Sequence, residues 1–335
     1  MTLSERAPSG WDDRITFPIL SEGFAAAARG MGYRPRFAED ERDRALVLLR
    51  SVPLPGAERW TLRAKVYVDR GNPRFLRDLF AELTRHGVAH VKVNDERHGL
   101  PDTELWYWTG VKPVPHHVFL IDTRGRSDED LRKAMQDPVP RNIRKAERAK
   151  VVVDEITTED QLRAFLALMS ETSDRMRSRH VAAVFPDDFF VRAYRHMVPR
   201  GQALFVLAHA DGVPLAGQMY LVARHRLTYY HGASTRAREL TPMHGPSAAF
   251  WHVIRLARDR GCASFDFGGA NPTTDPDDRH FSITDFKRKW GGRHVLVPSV
   301  DVVLSPIKVA FQDRCLKPFW DRAHPLYLRL FGQAA

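Results

Sequence analysis

The sequence predicts an α/β protein made of two tandem copies of one unit, each a mixed β-sheet flanked by helices. Three observations carry that expectation. A helix, a glycine and an alternating strand recur in the same order in both halves. A run of short strands precedes each copy. The chain has 335 residues and 43% hydrophobic content, which is enough to fill two cores.

In the first copy Phe75, Leu76, Leu79, Phe80 and Leu83 recur at helical spacing, and Gly87 supplies the left-handed residue that ends a helix. Residues 88–93 then alternate with period two, as a strand requires. In the second copy Phe250, Val253, Ile254 and Ala257 form the helical face, Gly261 ends it, and residues 262–267 form the strand. Upstream of the second copy, residues 203–209 and 214–223 flank Asp211-Gly212, a strong hairpin signal, with a third strand at 227–231. Residues 33–37, 45–53 and 60–68 repeat that order in the first half. Ser127 before Asp128-Glu129-Asp130 reads as a capped helix start, and Pro138 and Pro140 break that helix. The expected division is a first domain over residues 1–126, completed by 297–335, and a second over 127–296.

Composition narrows the functional classes. A net charge of +10 favours polyanionic partners. The two cysteines, Cys262 and Cys315, lack metal-ligand spacing and form no disulfide framework, which fits a reducing cytoplasm. No signal-peptide core opens the chain, and no run approaches the roughly 18 apolar residues of a spanning helix. Asp266-Phe267-Gly268 spells a kinase tripeptide, but no glycine-rich phosphate loop or His-Arg-Asp loop accompanies it. His116-His117 lacks ligand spacing, and no Gly-x-Ser-x-Gly element occurs, so metal and serine-hydrolase chemistry have no support.

Four features remain as carriers of chemistry. Arg141, Arg144, Lys145 and Arg148 fall on one face of a helix and form a basic stripe suited to phosphates, or a solvated face. Tyr229 and Tyr230 occupy adjacent strand positions and point to opposite faces, so that one packs inward while the other lines a cleft, or both rings pack in the core. Lys287, close behind a glycine-rich strand end, is a cation suited to a reaction that develops negative charge, or a surface lysine beside Arg288 and Lys289. Residues 240–247 hold one glycine and Pro246 where an acetyl-CoA enzyme of such a fold needs a run of free amides.

Phe265-Asp266-Phe267-Gly268-Gly269 followed by Phe286-Lys287, together with the basic segment from Arg141 and Tyr230-His231-Gly232, resembles the Fem family of aminoacyl-tRNA-dependent peptidyltransferases. The resemblance covers most of the chain and is strongest over residues 127–296. It implies two tandem domains of the N-acetyltransferase-like (GNAT) type, with the C-terminal tail returning to the first. It also implies Tyr230, Gly268 and Gly269 as substrate contacts and Phe286-Lys287 at the acceptor site. Lys287 would then face the oxyanion or the departing ribose oxygen, with the proton going to Asp95, one step past Asn94 at the family's acidic position, or to the leaving group or a substrate carboxylate. An aminoacyl ester is already activated, so no metal or cofactor is required.

The implied reaction moves an amino acid from aminoacyl-tRNA to an amine of a peptidoglycan precursor, either UDP-muramyl-peptide or lipid II. It would take place in the cytoplasm or at the inner face of the membrane, in contact with it peripherally. Two departures bear on the acceptor. Residues 23–29 are largely alanine where relatives often carry lysine, and 184–190 lack the arginine and tyrosine found there in some relatives, with Arg177 and Arg179, or Arg29, as the residues that would compensate. The long paired-helix arm of some relatives is also missing, which indicates the compact branch. The alternatives are a tRNA- or CoA-dependent N-acyltransferase acting on a small metabolite or peptide, and a non-catalytic RNA- or membrane-binding protein using Phe311, Phe319, Trp320, Tyr327 and Phe331.

Overall fold

Helix α3 (Pro73–Arg85) shows how the repeated unit is built. Asn72 caps it by accepting the N–H of Arg74, and its apolar stripe of Phe75, Leu76, Leu79 and Leu83 is buried in a core with Val47, Val66, Val91 and Val93. Gly87 adopts φ +77°, which lets the chain reverse into the next strand without a Cβ clash. The computed structural model describes residues 1–51, 60–69, 72–95, 111–178, 185–270 and 281–316, with Thr273, Asp275, Asp277, Asp278 and Pro318. These divide into two units, residues 1–9, 32–114 and 298–335 forming the first and residues 10–31 and 115–297 the second.

In the first unit β1 (Arg34–Glu39), β2 (Arg44–Arg50), β3 (Arg63–Val68) and β4 (His90–Asp95) stand in that order. The first three pair antiparallel, while β3 and β4 run parallel with α3 as the crossover. Residues 299–303 of β11 (Arg293–Val303) pair antiparallel with β4, so the C-terminal segment completes this sheet. Helix α10 (Pro306–Phe311) comes next, and Lys308 Nζ donates to the carbonyl of Gly87. The aromatic tail residues Phe319, Trp320, Tyr327 and Phe331 lie outside the described residues.

The second unit places β5 (Val111–Asp122, residues 115–122 here) beside β10 (Ser264–Ala270). β9 (Arg226–Ser234), β8 (Val213–Ala223), β7 (Ala203–Ala210) and β6 (Val152–Glu155) then continue the sheet in that order. Helices α4 (Asp128–Ala134), α5 (Val139–Arg148), α6 (Glu159–Ser178), α7 (Asp187–Met197), α8 (Gly245–Asp259) and α9 (Phe281–Arg288) flank it. Ser127 forms the expected reciprocal cap with Asp130. Asp211 and Gly212 take φ of +49° and +77°, as a two-residue hairpin turn demands. Both units are thus mixed sheets flanked by helices, as the sequence predicts.

The division of the chain differs from the expected one at two segments, and by the single residue Val297, which belongs to the second unit. Residues 10–31, assigned to the first domain by sequence, belong to the second unit, and so do residues 115–126. The reason for the first is close packing between α2 (Glu22–Arg29), which comes after the short helix α1 (Trp11–Arg14), and α7. A Cβ on Gly30 would lie 2.7 Å from the backbone nitrogen of Phe189, and one on Gly23 would lie 2.9 Å from Met197 Cγ. Ala25, Ala27 and Ala28 are fully buried, so the alanine run is a small-residue packing face. The second difference follows from strand pairing, since Asp122, Ile121 and Leu120 are in register with Ser264, Phe265 and Asp266 of β10.

Candidate active site

Two strand irregularities side by side create the site. β9 and β10 pair in parallel through residues 226–228 and 264–266. Beyond that point Tyr229 of β9 stands opposite Tyr220 and His231 opposite Met219, leaving Tyr230 as an extra residue. The register of β10 with β5 shifts between Asp266 and Gly269. Such bulges bend a strand and re-aim its side chains. Gly268 takes φ +68°, and a Cβ there would meet the carbonyl oxygen of Tyr229 at 2.7 Å, so the two backbones approach as closely as glycine permits.

Helix α9 delivers Lys287 to this place. Phe286 anchors the helix against Phe250 and Trp290, with ring centroids 5.6 and 6.1 Å away. Arg288 and Lys289 both pair with Asp285, each at 2.5 Å, whereas Lys287 is 7% exposed and its Nζ donates to the carbonyl of Gly269 at 2.5 Å. Asp266, 2% exposed, accepts the N–H of Gly268 at 2.7 Å and faces Arg226 Nη1 at 3.5 Å. Burial pushes the Lys287 ammonium down to about 8, against the opposing field of Asp266. Burial also raises the Asp266 carboxyl, which Arg226, the Gly268 amide and Lys287 counteract. Near neutral pH Lys287 is therefore mainly a cation, yet one able to exchange its proton.

A cavity of about 390 Å³ opens at the N-terminal end of α8, bounded by β8, β9, α5 and α6. Phe286, Phe250 and Tyr229 form its aromatic wall, and Gln218, Arg175 and Arg236 are among its polar groups. Arg175 donates to Thr172 Oγ1 at 3.0 Å and to the Ser234 carbonyl at 3.4 Å. His244, also in the lining, is held below its ordinary range by burial and by the fields of Lys145 and Arg141. Pro246 has no N–H, and the amides of Ser247 and Ala248 donate to the His244 carbonyl. The start of α8 therefore lacks the row of available amides that a pyrophosphate needs.

The predicted residues fall into four groups. Lys287 is held by the Gly268-Gly269 turn through the Gly269 carbonyl, and Phe286 beside it lines the cavity, whereas Lys287 and the two glycines are not among the residues that line it. The four basic residues of α5 are exposed; Arg141 and Lys145 act on His244, Arg148 Nε donates to the Arg144 carbonyl at 3.3 Å, and Glu147 between them pairs with Arg132 at 2.5 Å. Tyr230 is half-buried among aromatic rings, with Phe24, Phe185 and Phe189 at 5.9 to 6.0 Å. Its neighbour His231 faces the same cluster, 4.2 Å from Phe185, and burial pushes its imidazole down to about 4. Asp95 ends β4 in the first unit, in register with Val68; its side chain lies outside the described residues.

Sequence reasoning missed Tyr229 as the cavity-lining tyrosine, and it missed Asp266, Arg226, Gln218 and Arg175. Asp266 carried a signal, being a carboxylate between Phe265 and Phe267 on a strand otherwise apolar there. Among the described residues no group of three or more His, Cys, Asp or Glu is arranged to hold a metal, and no helix is long and apolar enough to cross a membrane.

Residues 134–317 match the acetyltransferase (GNAT) domain family. The chain is 24% identical over 237 residues to the lipid II:glycine glycyltransferase of Staphylococcus haemolyticus and 23% identical over 239 residues to that of Staphylococcus aureus. Each match covers 70% of this chain and 49% of the relative, so the chain spans about half the length of these curated relatives. Among solved structures, FemX superposes with a TM-score of 0.66 at 16% identity, covering 88% of this chain and 94% of FemX. A Bacteroides thetaiotaomicron protein of unknown function superposes with a TM-score of 0.60 at 11% identity, covering 90% and 99%. The chain belongs to the acetyltransferase (GNAT) domain family, and it is similar in fold to FemX.

Proposed function

We propose that this protein transfers an amino acid from aminoacyl-tRNA to an amine of a peptidoglycan precursor, forming a peptide bond. The observation that carries the reading is the buried Lys287 ammonium, held by the Gly268-Gly269 turn just past the end of the β9–β10 pairing and next in the chain to Phe286, which lines a polar, aromatic-walled cavity. The naming of the relatives as lipid II:glycine glycyltransferases supports the acceptor class.

In this reading the ester end of the donor enters the cavity. Tyr229, Phe250 and Phe286 offer surfaces for a nucleobase, while Arg175 and Arg236 meet phosphate or ribose oxygens. Arg141 and Lys145 at the rim, with the rest of the α5 stripe, neutralise backbone phosphates without reading sequence. The acceptor nitrogen attacks the ester carbonyl. A C–N bond forms, the tetrahedral oxyanion is stabilised by the Lys287 ammonium, and the C–O bond to the ribose breaks. The proton lost by the amine goes to the departing ribose oxygen. An ammonium titrating at about 8 is matched to relay it. Coenzyme A is the weaker donor because Pro246 and the occupied amides of Ser247 and Ala248 leave no pyrophosphate cradle.

The small-residue packing face of α2 favours a second acceptor class, since no lysine stands there to hold a nucleotide-linked or lipid-linked muropeptide, and a small metabolite or peptide needs none. The test is a turnover screen of charged tRNAs and acetyl-CoA against UDP-muramyl-pentapeptide, lipid II and a panel of small amines. Transfer from a charged tRNA to either muropeptide is expected. Transfer from acetyl-CoA alone refutes the donor assignment.

A further inference from the structure

We propose that Asp266 is a positioning residue for Lys287, its buried carboxylate fixing both the Gly268-Gly269 turn and the charge of the ammonium that this turn binds. The inference rests on the reading of Lys287 as the cation of the transfer reaction. Its geometry comes from one short stretch of backbone. Asp266 Oδ1 accepts the N–H of Gly268 at 2.7 Å, and the next residue, Gly269, gives its carbonyl to Lys287 Nζ at 2.5 Å. Carboxylate and ammonium are therefore tied to opposite ends of the same glycine turn, and both are excluded from water.

Neither charge is favourable there alone. Moving one ionised group out of water costs several kcal/mol unless a counter-charge and hydrogen bonds replace the solvent (roughly 3–5 kcal/mol is lost when one partner of such a pair is removed). The surrounding elements supply few other charges. From β9, Arg226 faces Asp266 at 3.5 Å. From β5, the His116 ring approaches the Cα of Gly269, so that a Cβ there would lie 2.6 Å from it. From α9, Asp285 is taken up by Arg288 and Lys289. Asp266 is the charged group whose field supports the protonated form of Lys287. Without it, only the hydrogen bond to the Gly269 carbonyl opposes the effect of burial on the lysine.

The test separates this role from a merely structural one. Asp266→Asn keeps an oxygen that accepts the Gly268 N–H and removes the charge. In full-length protein labelled at lysine Cε, with the Lys287 signal assigned by its loss in Lys287→Arg, the Lys287 midpoint should fall by about 1 pH unit in the Asn variant. Asp266→Glu should restore most of it. The alkaline limb of the transfer rate should move to lower pH together with the NMR midpoint. Coupling is reciprocal, so Lys287→Met should raise the midpoint of the Asp266 carboxyl, read at Cγ of labelled aspartate; this arm stands even where Asp266→Asn does not fold. An unchanged Lys287 midpoint in folded Asp266→Asn, or an unchanged Asp266 midpoint in Lys287→Met, overturns the proposal. If both midpoints move while the rate profile stays fixed, the role of Asp266 stands and the catalytic reading of Lys287 fails.

Discussion

Gly268→Ala should damage this protein in a way that Gly261→Ala does not. Both glycines have a left-handed backbone, φ +68° and +72°, but an added Cβ meets Tyr229 O at 2.7 Å at Gly268 and nothing within 4 Å at Gly261. An alanine at either position carries the left-handed penalty of about 1–2 kcal/mol. At Gly268 the contact adds to it. Carbon and oxygen must separate by roughly 0.5 Å or more to regain ordinary van der Waals distance, and the atom in the way is backbone, so β9 and β10 must part. A total near 3 kcal/mol is expected for Gly268→Ala, against about 1 for Gly261→Ala, which for a unit of this size is a difference in Tm of roughly 4–8 °C. The same movement displaces the Gly269 carbonyl that holds Lys287. A displacement of this order costs about 100-fold in rate, while Gly261→Ala should leave the rate within twofold or so. Urea unfolding and single-turnover transfer measured on both variants give the comparison. Equal stability losses with an undiminished rate in Gly268→Ala would refute the argument that the close approach of these strands builds the site.

Removing Arg141 and Lys145 together by alanine substitution should weaken tRNA binding uniformly across tRNA species, and should flatten the slope of log K against log salt by about 1 for each cation that contacts a phosphate. An unchanged slope would make the stripe a solvated face. His231 titrates at about 4 in the folded protein, below its ordinary value of 6.5, so the unfolded chain takes up the proton first. Stability from this group is complete above pH 6.5 and declines as pH falls toward 4, by up to about 1.4 kcal/mol per pH unit. Urea midpoints at pH 7 and pH 5 should differ more in the native protein than in His231→Gln.

Much of the architecture was legible because its signals are local. The α3 and α8 stripes, the left-handed Gly87 and Gly261, and the Asp211-Gly212 turn each depend on a few adjacent residues. The membership of residues 10–31 was not legible, since it depends on how closely Gly23 and Gly30 let α2 approach α7, a long-range fit that composition does not encode. The two tyrosines show the same limit at the site. Alternation placed them on opposite faces, and the structure agrees. Which of them reaches the cavity depends on where α8 and the aromatic rings of α2 and α7 pack against β9, and it is Tyr229 that lines the wall. Lys287 sits in a run of positive charge that reads as surface. Its burial depends on Asp266 from another element, together with the pairing of Arg288 and Lys289 to Asp285.

The central claim is that the buried Lys287 ammonium stabilises the charge that develops during aminoacyl transfer. Its most direct test is single-turnover transfer from charged tRNA to a muropeptide acceptor, comparing the native protein with Lys287→Met at saturating donor and acceptor. Loss of one such electrostatic donor should lower the rate about 10²- to 10³-fold with tRNA affinity nearly unchanged. A folded Lys287→Met protein that transfers at the native rate contradicts the account.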